Sequence, residues 1–309
     1  MMFDNLQLVR LGFRLDATRP KQGFLGAKLR GGIGGKLKQL ACPTGPDSRC
    51  EDCLVSSRCV FAYLYVSPPD PEMPVEYVQS EYPHPYVLAP AQDDRGPEVR
   101  FALTLIGRGI DYLPFFVLAA RRLSFVAGTG PGRLLGVDDL ARADHPQVYD
   151  GSAQRFLDRP GTMSWADFIS ADDEAVKEIR LEFVTPTKIK SDQRLADRYE
   201  FPVLAGALLR RIGMLTARHC GRMNGPDFKT LLSRAADVET VDHRLILDDR
   251  FRGYSLRQQQ AHRFTGLVGT VTYRGALGEF LPLFRAGELL HVGSKATFGL
   301  GRYVIRSVS

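Results

Sequence analysis

One stretch of this chain occurs twice, and that duplication restricts the possible folds more than any other feature. Near the end, Arg274-Gly275 is followed by Leu281-Pro282 and, past a glycine-rich run, by Gly301-Arg302. Earlier, Arg108-Gly109, Leu113-Pro114 and Gly132-Arg133 follow in the same order. The copies are offset by 166, 168 and 169 residues at these landmarks, a drift that short loop insertions produce. A unit used twice implies two similarly built halves. Each copy reads strand, helix, strand. In the second, residues 268–273 are β-rich, and Phe280, Leu281, Phe284 and Leu290 recur at helical spacing. Pro282 sits near the helix start, where a missing N–H costs little, and Gly293 follows as a C-terminal cap. A strand over residues 302–305 closes the unit. The first copy predicts a strand at 100–106, a helix at 112–123 and a strand at 134–137.

A strand and a helix also open each half. Residues 6–15 alternate, with Arg10 and Arg14 on one face and Leu11, Phe13 and Leu15 on the other. Leu25, Leu29, Ile33, Leu37 and Leu40 then mark a helix face. Gly31, Gly32, Gly34 and Gly35 interrupt it, each costing roughly 1 kcal/mol relative to alanine. That cost predicts close approach by another backbone or by RNA. Further strands are expected at 61–66 and 86–88. The second half opens with a strand at 178–184, a basic loop through Lys188 and Lys190, and a helix at 202–218 carrying Leu204, Leu208, Ile212 and Leu215 on one face. The expected class is α+β, two tandem ferredoxin-like (βαββαβ) domains at 1–145 and 176–309. Residues 146–175, rich in acids and prolines, are expected as a link, with Trp165 docking it on one domain.

Charge placement says more than the net value of +6. Residues 1–40 and 251–309 each hold eight Lys or Arg against two acids, so the middle of the chain is acidic. If the two basic ends meet, they form a surface for a polyanion. No run of 18 or more apolar residues suggests a membrane span. The opening Met-Met-Phe-Asp-Asn does not read as a signal peptide, so a cytoplasmic location is expected.

Cys42, Cys50, Cys53 and Cys59 have the spacing C-x7-C-x2-C-x5-C. Four thiols on one short loop resemble a closed tetrahedral metal site. Structural zinc is the expected occupant, with an iron–sulfur cluster as the alternative. Cys220 stands alone and reads as a small buried hydrophobe.

Several segments together resemble a known family. Val184-Thr185-Pro186-Thr187-Lys188-Ile189-Lys190 is similar to the Thr-Pro-x-x-Leu-Lys segment of CRISPR precursor-RNA processing endoribonucleases of the RAMP superfamily. Leu208-Leu209-Arg210-Arg211, Gly266 through Gly275 and Phe280 through Gly301 resemble its later segments. In the first half the likeness rests on Leu29-Arg30-Gly31 and the cysteine loop. The resemblance implies a glycine-rich loop near the C-terminus that contacts RNA. It implies metal-independent cleavage within the CRISPR repeat, giving a 2′,3′-cyclic phosphate and a 5′-OH, with no catalytic cofactor. The partners implied are CRISPR repeat RNA and other CRISPR-associated proteins, with no membrane.

Such chemistry needs a proton acceptor and cationic donors around the phosphate. Family members place a histidine near the first helix, whereas the first histidine here is His84, in a Pro-His-Pro loop. His291, ending the last helix before the glycine loop, is the expected acceptor, with helix-dipole capping as its alternative role. Lys36 or Lys38 could replace it as charge stabiliser. Lys28, Arg30, Lys188 and Lys190 are further expected RNA contacts. Lys295 and Arg302 flank Gly299 and Gly301, whose N–H groups could meet phosphates. Arg252 and Arg257 flank Tyr254, pairing charge with a ring for stacking. The missing early histidine leaves a second reading open: a non-catalytic RNA-binding subunit of the same superfamily.

Overall fold

Alternation makes β1 (Gln7–Asp16) a strand: Val9, Leu11, Phe13 and Leu15 are buried on one face. In this computed structural model, which describes residues 2–18, 23–68, 82–91, 98–125, 130–191, 194–221, 227–255 and 260–309, α1 (Leu25–Ala41) covers that face. Leu29, Ile33 and Leu37 are fully buried beneath it. Each such side chain contributes about 1.5–3 kcal/mol, which offsets the glycine cost. Two of those glycines do admit a neighbour. A Cβ on Gly32 would lie 2.8 Å from Leu123, and one on Gly34 2.5 Å from the Tyr65 ring. Gly31 and Gly35 face open space.

β2 (Tyr86–Pro90) and β3 (Glu98–Ile106) follow, then α2 (Leu113–Ala120) and β4 (Arg133–Asp139). The stretch 146–175, expected as a link, carries three short strands: β5 (Gln147–Asp150), β6 (Arg155–Phe156) and β7 (Met163–Ser164). They extend the first sheet, whose antiparallel order is β2-β3-β1-β4-β5-β6 with β7 paired to β1. Trp165 docks edge-on against Phe3 with ring centroids 5.0 Å apart. Arg285 fastens the same stretch, pairing with Asp173 at 2.6 and 2.9 Å and donating to the Phe168 carbonyl at 2.8 Å.

β8 (Glu178–Thr187) opens the second half, followed by a small hairpin of β9 (Lys190–Ser191) and β10 (Arg194–Leu195). Then come α3 (Phe201–His219), α4 (Phe228–Ala235), the long hairpin β11 (Glu239–Ser255) and β12 (Gln260–Arg274), α5 (Leu281–Leu290) and β13 (Tyr303–Val308). The sheet order is β11-β12-β8-β13, all antiparallel. Ile179, Leu181 and Phe183 face α3 and α5 in a second core, which also takes in Phe3, Leu6, Leu8 and Ile106 from the first half. The duplicated sequence is thus β3-α2-β4 and β12-α5-β13.

One expected strand is absent. Residues 62–66 wind as a wide helical turn, closed by the Ser67 N–H on the Ala62 carbonyl at 2.8 Å. Phe-Ala-Tyr-Leu-Tyr-Val has strand composition, but tertiary contacts decide otherwise. The turn buries Leu64, sets Tyr65 over Gly34 and brings the Tyr63 hydroxyl within 2.8 Å of His219 Nδ1.

Candidate nucleic-acid interface

The two basic ends of the chain meet. Gly26 in the first turn of α1 lies so close to the glycine loop that a Cβ there would stand 1.9 Å from the Phe298 carbonyl oxygen. One turn on, Arg30 Nε donates to Thr297 Oγ1 at 3.2 Å, and the guanidinium lies 4.6 Å from the Phe298 ring centroid. Across the cleft the Lys295 ammonium sits over Phe264, 4.7 Å from its centroid. Burial, then Lys188 and Arg30, lower the Lys295 pKa. Lys188, Arg263 and Lys295 line a common hollow with Phe264 and Ser294.

The glycine loop holds this shape through the Thr-Pro segment of β8. Thr185 Oγ1 donates to the Gly299 carbonyl at 3.0 Å and accepts from the Arg302 N–H at 2.9 Å. The Gly301 N–H reaches the Pro186 carbonyl at 3.2 Å, and Ser294 N–H the Lys188 carbonyl at 3.0 Å. Gly301 has φ of 69°, and a Cβ there would meet the Val292 carbonyl oxygen at 1.7 Å. Only glycine satisfies both demands.

These contacts revise several expectations. The Gly299 and Gly301 amides are spent inside the loop, on Ala296 and Pro186, and both residues are buried, so they offer phosphates nothing. His291 is 2% exposed, and its Nδ1 lies 3.1 Å from the Leu300 carbonyl, a contact that requires an N–H there. Burial, then Arg302 and Arg211, push its pKa down to about 3. It locks the loop and cannot reach a substrate. Arg302 is partly buried, with Glu288 as its electrostatic partner, rather than beside Lys295. Lys36 reaches Gln39 Oε1 at 3.4 Å, and Lys38 donates to the Ser48 carbonyl at 2.6 Å. Lys38 lies two turns beyond Arg30, about 12 Å along α1, so it braces the cysteine loop.

Lys28 and Arg252 line one hollow and Lys188 and Lys295 another, with Arg30 near enough to Lys295 to lower its pKa. The Arg252 carbonyl accepts the Phe24 N–H at 2.7 Å, tying β11 to the start of α1. Lys190 is exposed on the β9–β10 hairpin. Arg257 and the Tyr254 ring lie outside the described residues.

Sequence reading missed His84. Its Nδ1 lies 2.7 Å from Ser67 Oγ and its Nε2 3.3 Å from Arg30 Nη2. Arginine can only donate, so Nε2 accepts and the imidazole is neutral. Burial, then Arg30, push its pKa down to about 3. His84 therefore orients Arg30, which in turn reaches Thr297. Nothing in the local Pro-His-Pro sequence signals this, because Arg30 is 54 residues away.

Among the described residues, no group of three or more His, Cys, Asp or Glu side chains is placed to hold an ion. Cys42 instead bonds within its own turn, to the Gly45 carbonyl at 3.1 Å and to Ser48 Oγ at 3.3 Å. Burial pushes the Cys50 thiol up, and Cys59 and Cys42 both act on it electrostatically, so three of the four thiols are neighbours.

A family described as CRISPR-associated endoribonuclease Cas6 matches residues 181–303, and one described as the AF_1859_N N-terminal domain matches residues 6–160. The first half thus matches the AF_1859_N N-terminal domain, and the second half matches the Cas6 endoribonuclease family. An uncharacterized protein of Archaeoglobus fulgidus is 27% identical over 98% of this chain and 99% of its own. Among solved structures, a Cas6 product complex aligns with TM-score 0.58 at 18% identity, covering 96% of this chain and 99% of that one. Thermus thermophilus Cas6 aligns with TM-score 0.55 at 19% identity, covering 97% and 98%. At such identities the likeness is one of fold. It matches a mixed α/β chain with antiparallel sheets, as seen here. Among the described residues no helix is long and apolar enough to cross a membrane.

Proposed function

We propose that this chain binds CRISPR repeat RNA in the cleft between α1 and the glycine loop and cleaves it there without a metal. The observation that carries the reading is the Arg30–Thr297 bond, which assembles one cationic cleft from two distant ends of the chain. The strand orders support reading each half as a ferredoxin-like domain. In the reaction, a ribose 2′-oxygen loses its proton and attacks the adjacent phosphorus. The bond to the 5′-oxygen breaks and that oxygen takes up a proton. The products are a 2′,3′-cyclic phosphate and a 5′-OH. Arg30 and Lys188 stabilise the charge on the pentacoordinate phosphate. Lys295 accepts the 2′-OH proton: it is the cleft lysine whose pKa burial, then Lys188 and Arg30, lower.

The test is incubation of the protein with repeat RNA in EDTA, using wild type, Lys295→Arg and Lys295→Ala. We expect cyclic-phosphate ends from wild type. Lys295→Arg carries a charge it cannot give up and so cannot accept a proton; it should bind nearly normally and cleave at least 100-fold more slowly. Equal cleavage by wild type and Lys295→Arg would remove the role given to Lys295. Tight binding with no scission by wild type would favour a non-catalytic RNA-binding subunit. The burial of His291, the expected histidine, is the observation on that side. Other CRISPR-associated proteins are proposed partners of either form.

A further inference from the structure

Beside the cleft lies a second hollow that the reaction above does not use. It opens between the first turn of α1 and the outer part of β11, with a volume of about 910 Å³. That is at the upper end of the range for small-ligand sites. Its floor is apolar, from Phe24, Leu25 and Phe251; its rim is cationic, from Lys28 and Arg252. Phe24 and Phe251 stand edge to face with centroids 5.0 Å apart, and the Phe24 N–H to Arg252 carbonyl bond fixes the two walls. Arg250 is held at the mouth by Asp248, bonding it at 2.8 and 3.0 Å.

An apolar floor inside a positive rim matches an uncharged aromatic base attached to a phosphate. A duplex offers such a site only phosphate and sugar, because its base faces are stacked. We propose that this hollow takes a single unstacked base of the RNA strand, its ring against Phe24 and Phe251 and its phosphate between Lys28 and Arg252. The inference rests on RNA being the ligand of the adjoining cleft. Phe24 stands at the N-cap of α1 and Arg30 lies six residues on, about 9 Å, so the captured nucleotide lies within a few positions of the cleaved phosphate. The hollow thereby adds base contact to a cleft that otherwise grips backbone.

The test is an abasic scan. A set of repeat RNAs, each lacking one base, is titrated against wild type, Phe251→Leu and Arg252→Gln, with thermal melting to verify the fold of each variant. One position is expected at which base removal weakens wild-type binding by roughly 10-fold, in line with base–aromatic stacking. At that position, removal should have little further effect on Phe251→Leu. Arg252→Gln should weaken all RNAs together while keeping the position-dependent loss. If wild type and Phe251→Leu show the same abasic profile while both bind intact RNA in a salt-dependent way, the pocket is overturned and the cleft reading stands. If wild type shows no salt-dependent affinity for repeat RNA, both fail together.

Discussion

Arg30 Nε, on the first helix, donates to Thr297 Oγ1 in the closing glycine loop at 3.2 Å, across 267 residues of sequence. His84 Nε2 accepts a hydrogen bond from Nη2 of the same guanidinium at 3.3 Å. The arginine is thus aimed before any RNA arrives, and preorganised donors of this kind carry much of the stabilisation of a charged transition state. Arg30→Ala is expected to slow cleavage by about 100-fold or more. Arg30→Lys should restore little, because an ammonium cannot serve both partners in fork geometry. Single-turnover rates at saturating protein measure this; a rate within about 3-fold of wild type for Arg30→Ala would refute the role.

The glycines of α1 divide into two kinds. A methyl group on Gly26 meets the Phe298 backbone oxygen at 1.9 Å, whereas one on Gly31 meets nothing within 4 Å. Gly26→Ala should destabilise the protein by about 1–3 kcal/mol and loosen the cleft. Gly31→Ala should stabilise it by up to about 1 kcal/mol through helix propensity. Denaturant melts compare the two directly. A stabilising Gly26→Ala would show that α1 and the glycine loop do not touch as described.

Acid should unfold the protein through histidines that the fold keeps neutral. His219 accepts from Tyr63 at Nδ1 and donates to the Pro83 carbonyl at 2.9 Å, and burial, with Arg218 and Arg108, pushes its pKa down to about 4. His291 is pushed down to about 3. In the unfolded chain both take up a proton below about pH 6.5. Their contribution is therefore complete above that pH and is lost as pH falls through 6.5 toward 4. Each loses about 1.4 kcal/mol per pH unit, or roughly 2 kcal/mol by pH 5. His219→Gln should flatten the stability curve between pH 6.5 and 4 by close to one proton. An unchanged slope would place His219 in water.

RNA affinity should fall steeply with salt. If Lys28, Arg30 and Lys188 each neutralise one phosphate of a single strand, log affinity against log salt has a slope of about −2. Replacing Lys188 with Gln should reduce that slope by roughly 0.7. A slope near zero would mean that these side chains do not meet phosphate.

Much of the architecture was legible in local pattern. The alternation of Val9, Leu11, Phe13 and Leu15, the spacing of Leu29, Ile33 and Leu37, and the twofold Arg-Gly to Gly-Arg unit marked strands and helices close to where they lie. Such periods are imposed by which face of an element must be dry, and they survive in one dimension. The aromatic run at 61–66 was not legible, because its strand composition gives way to contacts with Gly34 and His219 from elsewhere in the chain.

The cleft itself was decided in three dimensions. From sequence, His291 beside a glycine loop looked reactive and His84 between two prolines looked incidental. The fold buries the first under Leu300 and sets the second against Arg30. Residue type and spacing determine which elements form and that both ends are basic. Only packing brings those ends together, and only packing decides which side chains keep contact with water, because burial depends on neighbours that sequence distance does not reveal.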